Sequence, residues 1–124
     1  YEPAEVALLD QLGVRVMYMP EVQARGFEAC FDEACTLVRA ATAGWGVSID
    51  VDGLDPQDAP GTGTPVEAGI PLRDALAALA ACQGDERFVA FELAEYNPLR
   101  DFGGRTAQAA IALVGAALAG RPAR

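Results

Sequence analysis

The chain has 124 residues, a formal charge of −9 and an apolar fraction of 52%, which fits one small domain. No basic stripe exists to displace counterions from phosphates, so nucleic acid is not an expected partner. Lysine and histidine do not occur and all nine basic residues are arginine. The commonest general base and transition-metal ligand is therefore missing, and chemistry carried by these residues has to rest on carboxylates.

In chain order, residues 3–12 read as a helix: Pro3 suits a first turn, Glu2 and Glu5 favour its positive end, and Gly13 stops it. The apolar run from 14 to 19 reads as a short strand ended by Pro20. A second helix is expected over 26–41, where Phe27, Cys30, Phe31, Ala34, Val38 and Ala41 recur at helical spacing. Residues 45–51, apolar on both faces, suit a central parallel strand. A loop follows over 53–70, and a loop of that length in a compact domain is usually functional. Its prolines and glycines favour order. Helix 71–82, strand 87–94 and helix 106–119, ended by Gly120 and Pro122, complete the series.

This αβαβαβα order predicts an α/β fold, a three-layer parallel sheet with helices on both faces. Residues 1–124 are expected to form a single small domain. The apolar fraction suits faces buried on several sides, or a missing partner that covers some of them. Cys30, Cys35 and Cys82 are odd in number and two share one helical pattern, so they are expected as packed, reduced thiols in a cytoplasmic protein. The acidic start is no signal peptide, and no apolar run is long enough to span a bilayer, so no membrane is expected.

Ligands of such sheets bind at the carboxyl ends of the strands. Asp50, Asp52 and Glu95 fall there. Residues i and i+2 of a strand point the same way, so Asp50 and Asp52 should lie side by side. Two adjacent carboxylates repel, and a shared proton or a cation relieves them. A cation suits a site working near neutral pH.

Ser48-Ile49-Asp50-Val51-Asp52 with Asp55-Pro56 and Pro60-Gly61-Thr62-Gly63-Thr64-Pro65 closely resembles the signature of the ureohydrolase (arginase/agmatinase) family. Glu95-Tyr96-Asn97-Pro98 looks like that family's Glu-x-Asn-Pro segment, and Arg105-Thr106-Ala107 also fits. The resemblance runs over nearly the whole chain, but to the C-terminal portion of a family member. It implies a binuclear manganese hydrolase that attacks a guanidino carbon with metal-activated water and releases urea. Asp50 would bridge the two Mn²⁺ ions and Asp52 would ligate one, although carboxylates alone would also accept Mg²⁺. Glu95 would hold the cationic guanidino substrate. Thr64 would help to position Glu95 or the substrate, or merely be an extended residue before Pro65.

The family's remaining ligands, in Gly-Gly-Asp-His and Asp-Ala-His-x-Asp segments, are absent from these residues. The resemblance therefore describes a half-site, inactive alone, that works as a homo-oligomer or with the missing N-terminal part. Val66-Glu67-Ala68-Gly69 also departs from the Pro-Gly-Gly-like turn common in the family. Asp50-Val51-Asp52-Gly53 resembles the nucleophile motif of haloacid-dehalogenase-type phosphatases too, but Leu54 stands where threonine is needed and lysine is lacking. Arginase is the expected activity, with agmatinase or formimidoylglutamase as alternatives. A non-catalytic scaffold or pseudoenzyme is the alternative of another class.

Overall fold

The computed structural model describes residues 2–119. Among the described residues, five α-helices and two strands follow one another as α1 (Pro3–Gln11), α2 (Met19–Arg25), α3 (Phe27–Ala41), β1 (Trp45–Asp50), α4 (Leu72–Ala81), β2 (Phe88–Ala94) and α5 (Arg105–Leu118). Short 3-10 turns, Val51–Gly53 and Phe102–Gly104, follow β1 and precede α5. The expected helix end at Gly120 and Pro122 lies outside the described residues.

β1 and β2 pair in parallel, with Asp50 opposite Ala94. The register shifts between Trp45 and Gly46. At that point the strands come so close that a Cβ on Gly46 would sit 2.8 Å from Ala90 Cβ. The core joins Trp45 and Phe88 of the sheet to Cys35 of α3, Leu79 of α4, Cys82 just after it, and Leu113 and Ala117 of α5. Trp45 and Phe88 stack with ring centroids 5.0 Å apart, and Arg39 lies over the Trp45 ring at 5.1 Å. Ser48 and Glu92 point away from this core, are exposed, and hydrogen-bond to each other. The α/β architecture with a parallel sheet is as expected. All three cysteines are free and buried. No helix among the described residues is long and apolar enough to cross a membrane.

The strand expected over 14–19 does not form. Residues 14–18 carry no regular secondary structure. Pro20, read as a terminator, instead lies in the first turn of α2, where the missing proline N–H leaves nothing unsatisfied. Ion pairs link this segment to the helices after it. Arg15 hydrogen-bonds Glu33 at 2.9 Å and also pairs with Glu21, and Arg25 reaches Glu33 at 2.6 Å. These pairs are about one-third exposed, so they guide the chain more than they stabilise it.

Candidate metal and substrate site

The site lies where β1 and β2 end. Asp50 is the last residue of β1, and the chain then tightens into the 3-10 turn, with Val51 fully buried beneath it. The two aspartates are thus adjacent for a reason other than strand alternation. Asp50 caps the turn, its Oδ1 accepting the Asp52 N–H at 2.9 Å, so the turn itself holds the Asp52 backbone against the Asp50 carboxylate.

Asp52 is the most informative residue. Its Oδ2 accepts the Thr64 hydroxyl. Its Oδ1 is buried and has no partner among the described residues. A carboxylate oxygen withdrawn from water without a donor is costly unless a cation meets it. Two carboxylates supply the hard oxygen donors that Mn²⁺ or Mg²⁺ accepts, so the residues present fit such an ion. Among the described residues no three His, Cys, Asp or Glu side chains converge into a metal cage. Asp50, Asp52 and Glu95 share the strand-end edge without forming such a cage.

Glu95 immediately follows Ala94, the β2 partner of Asp50, so it ends the adjacent strand on the same edge. Its φ of 63° is left-handed, a conformation that costs a non-glycine residue energy and recurs at functional sites. Among the described residues no hydrogen bond or ion pair engages its exposed carboxylate. Thr64, expected to position Glu95 or the substrate, donates its hydroxyl to Asp52.

The 53–70 loop is held at many points. Its base closes through Ile70 N–H to Gly53 O and Asp55 N–H to Ile70 O, both 2.9 Å. Asp58 caps α4 by accepting the Leu72 N–H at 2.8 Å. Gly61 donates its N–H to Thr106 Oγ1 at 2.7 Å and accepts the Asn97 N–H at 2.8 Å. Arg100 donates to Gly63 O at 2.9 Å. The sequence marked Asp101 only as part of the family-like segment after Glu95 and gave Arg100 no part. The signal available for Asp101 was an acidic residue shortly before a helix start, the usual mark of a cap. Asp101 accepts the N–H groups of Thr106 at 2.8 Å and Ala107 at 2.9 Å, and the Tyr96 hydroxyl at 3.2 Å. Partial desolvation pushes its carboxyl up, but these donors outweigh it and hold the group below the usual carboxylate range.

A parallel strand pair ending in two aspartates, one of whose oxygens is buried without a partner, with an exposed glutamate alongside and a tethered loop, makes up the candidate site. The sequence and the fold narrow this class further. The family model described as the Arginase family matches residues 1–120, and the chain belongs to that family. An arginase from Brevibacillus brevis is 37% identical over 113 residues, covering 91% of this chain and 38% of that protein. A guanidinopropionase from Pseudomonas aeruginosa is 38% identical over 118 residues, covering 95% of this chain and 35% of that protein. The crystal structure of the arginase from Bacillus caldovelox superposes with a TM-score of 0.88 at 31% identity, covering 98% of this chain and 41% of that one. The chain thus spans about two fifths of the length of the relatives it matches.

Proposed function

We propose that this chain supplies one wall of a binuclear manganese site in a ureohydrolase that cleaves a guanidino group and releases urea, with arginine, converted to ornithine and urea, as the substrate. The observation that carries this reading is the buried, partnerless Asp52 Oδ1 beside Asp50. Asp50 and Asp52 would hold the metal. Bound there, manganese would supply Lewis-acid stabilisation and lower the pKa of water into the neutral range. Asp52 is steadied by the Thr64 hydroxyl, which fixes the carboxylate's rotation. Glu95 offers an exposed carboxylate to a planar cation, which it would pair with through charge-assisted hydrogen bonds.

Two carboxylates are too few for a binuclear site, so the remaining ligands would come from the rest of the parent protein and the chain alone would be inactive. The exposed polar sheet face at Ser48 and Glu92, and the exposed Val89 on β2, favour a chain that works against further structure, from the same polypeptide or another copy. A reducing cytoplasm suits three unpaired thiols. That no third ligand joins the aspartates among the described residues favours one second reading, a non-catalytic scaffold.

Urea release from arginine and agmatine by the full-length protein, with Mn²⁺ present, separates these readings. Release from arginine alone supports arginase, release from agmatine moves the substrate, and none from either supports the scaffold. In an active protein, Glu95→Gln should raise KM at least tenfold while the bound manganese stays constant. Metal loss in that variant would mean that Glu95 is a ligand and not a substrate residue.

A further inference from the structure

Four contacts close a ring just beyond Glu95. Gly61 accepts the Asn97 N–H, two residues beyond Glu95, at 2.8 Å. Gly61 in turn donates to Thr106 Oγ1 at 2.7 Å. Asp101 holds Thr106 by its N–H at 2.8 Å. Asp101 then returns to the start by accepting the hydroxyl of Tyr96, the residue next to Glu95, at 3.2 Å. Thr106 is fully buried, so its hydroxyl has little water to turn to. The ring is tight: a Cβ on Gly61 would sit 2.6 Å from Asp101 Cβ and 2.8 Å from Thr106 Oγ1. Only glycine lets the loop approach the start of α5 this closely.

Glu95 needs such a frame. Its left-handed φ is intrinsically unfavourable and persists only where neighbouring contacts over-determine it. The 3-10 turn sets Asp50 and Asp52 locally, through one bond between two residues two apart. Nothing comparable within β2 fixes Glu95. Both of its following neighbours, however, are bound into the ring. The loop entering the ring at Gly61 also carries Thr64, which touches Asp52. One set of contacts therefore spans from the glutamate to the aspartate pair.

We infer that Asp101 and Thr106 are positioning residues: by locking Gly61 to the start of α5 and Tyr96 to Asp101, they set the place of the Glu95 carboxylate relative to the Asp50–Asp52 pair. This rests on the ureohydrolase reading above, in which Glu95 binds the guanidino group. Neither Asp101 nor Thr106 touches substrate in this assignment. Their effect passes through the backbone at Glu95. A displacement there of a fraction of an ångström is enough to weaken a charge-assisted pair, whose strength depends on short, aligned contacts.

The test uses the full-length protein with Mn²⁺ and arginine. Thr106→Val removes the acceptor for Gly61, and Tyr96→Phe removes the donor to Asp101 while leaving a partly exposed ring in place. We expect Thr106→Val to raise KM about tenfold and Tyr96→Phe about threefold, with bound manganese unchanged. Thr106→Ser, which keeps the hydroxyl, should restore KM to within about twofold. A purely structural role would lower the active fraction and so kcat, but leave KM where it was; that result overturns the assignment. Equal KM increases in Thr106→Val and Thr106→Ser overturn it as well. If Thr106→Val does not fold, Tyr96→Phe decides, and an unchanged KM there refutes the lock. If the unsubstituted protein releases no urea from arginine or agmatine, the ureohydrolase reading itself fails, an outcome distinct from an active protein with indifferent variants.

Discussion

Two adjacent residues at the base of the loop should respond to substitution with opposite signs. Ala68 has φ of 54°, in the region that favours glycine. Gly69, its neighbour, is buried against backbone: a Cβ there would lie 2.6 Å from Leu54 C and O and 2.8 Å from Gly53 O. Backbone atoms cannot swing aside as a side chain can. Relieving the contact to an ordinary ~3.4 Å moves the two segments apart by about 0.8 Å, which carries two 2.9 Å hydrogen bonds between Gly53, Asp55 and Ile70 beyond bonding range. At roughly 1 kcal/mol per bond, plus the cost of burying the freed groups, Gly69→Ala should destabilise by about 2–4 kcal/mol. Ala68→Gly removes about 1–2 kcal/mol of left-handed strain and adds roughly 0.5–1 kcal/mol of unfolded-state entropy. It should stabilise by about 0.5–1 kcal/mol. Trp45, the single tryptophan, is buried and reports unfolding in urea by its fluorescence. With an m value near ~1.5 kcal/mol/M, Gly69→Ala should lower the midpoint by roughly 1–3 M and Ala68→Gly raise it by about 0.5 M. A midpoint that holds for Gly69→Ala, or falls for Ala68→Gly, refutes the reasoning.

Acid and thiol chemistry give two further tests. The Asp85 carboxyl accepts the Arg87 N–H, the Arg39 guanidinium and the Trp45 indole, which together pull it down to about 2. Its contribution is fully present above its unfolded value near ~4 and is lost as pH falls from there toward 2, so Asp85→Asn should flatten the loss of Tm across that window; an unchanged slope would show that Asp85 is not responsible. Burial, reinforced by Cys35, pushes the Cys82 thiol up to about 11, which leaves about one part in a thousand ionised at pH 8 against roughly a quarter of a free cysteine. A disulfide reagent should therefore modify Cys82 at least 100-fold more slowly in the native chain than in denaturant, read by mass spectrometry of quenched samples, and a native rate matching the denatured one would contradict the packing.

What the sequence disclosed depended on how local each signal was. The spacing of Cys30, Phe31 and Val38 marked α3 because one face of a helix is written in its own residues. β1 and β2 showed as apolar runs bounded by breakers, and the aspartate pair as a motif in one short stretch. Residues 14–19 carried the same apolar signature as a strand, but a strand exists only with a partner backbone, and apolarity does not specify one. In this segment Arg15 reaches Glu21 and Glu33, 6 and 18 residues away. Pro20 was ambiguous for a related reason: the same ring ends a strand or opens a helix. Thr64 lay in a legible motif, yet its contact with Asp52 spans 12 residues and is set by the course of the loop. The Gly61–Thr106 contact spans 45 residues, a separation at which residue type alone says nothing about proximity.

That last separation bears on how the protein is made. Asp50 and Asp52 leave the ribosome before the residues that tether the loop and their turn can close at once, whereas Gly61 cannot be tied until Thr106 has been synthesised. At about 5–20 residues per second, the loop waits roughly 2–9 s between the emergence of one partner and the other. During that interval the carboxylate pair is present without its tethered loop. A nascent chain stalled before Arg105 should accordingly be cut by protease between Pro56 and Pro65, and one stalled well beyond α5 should resist.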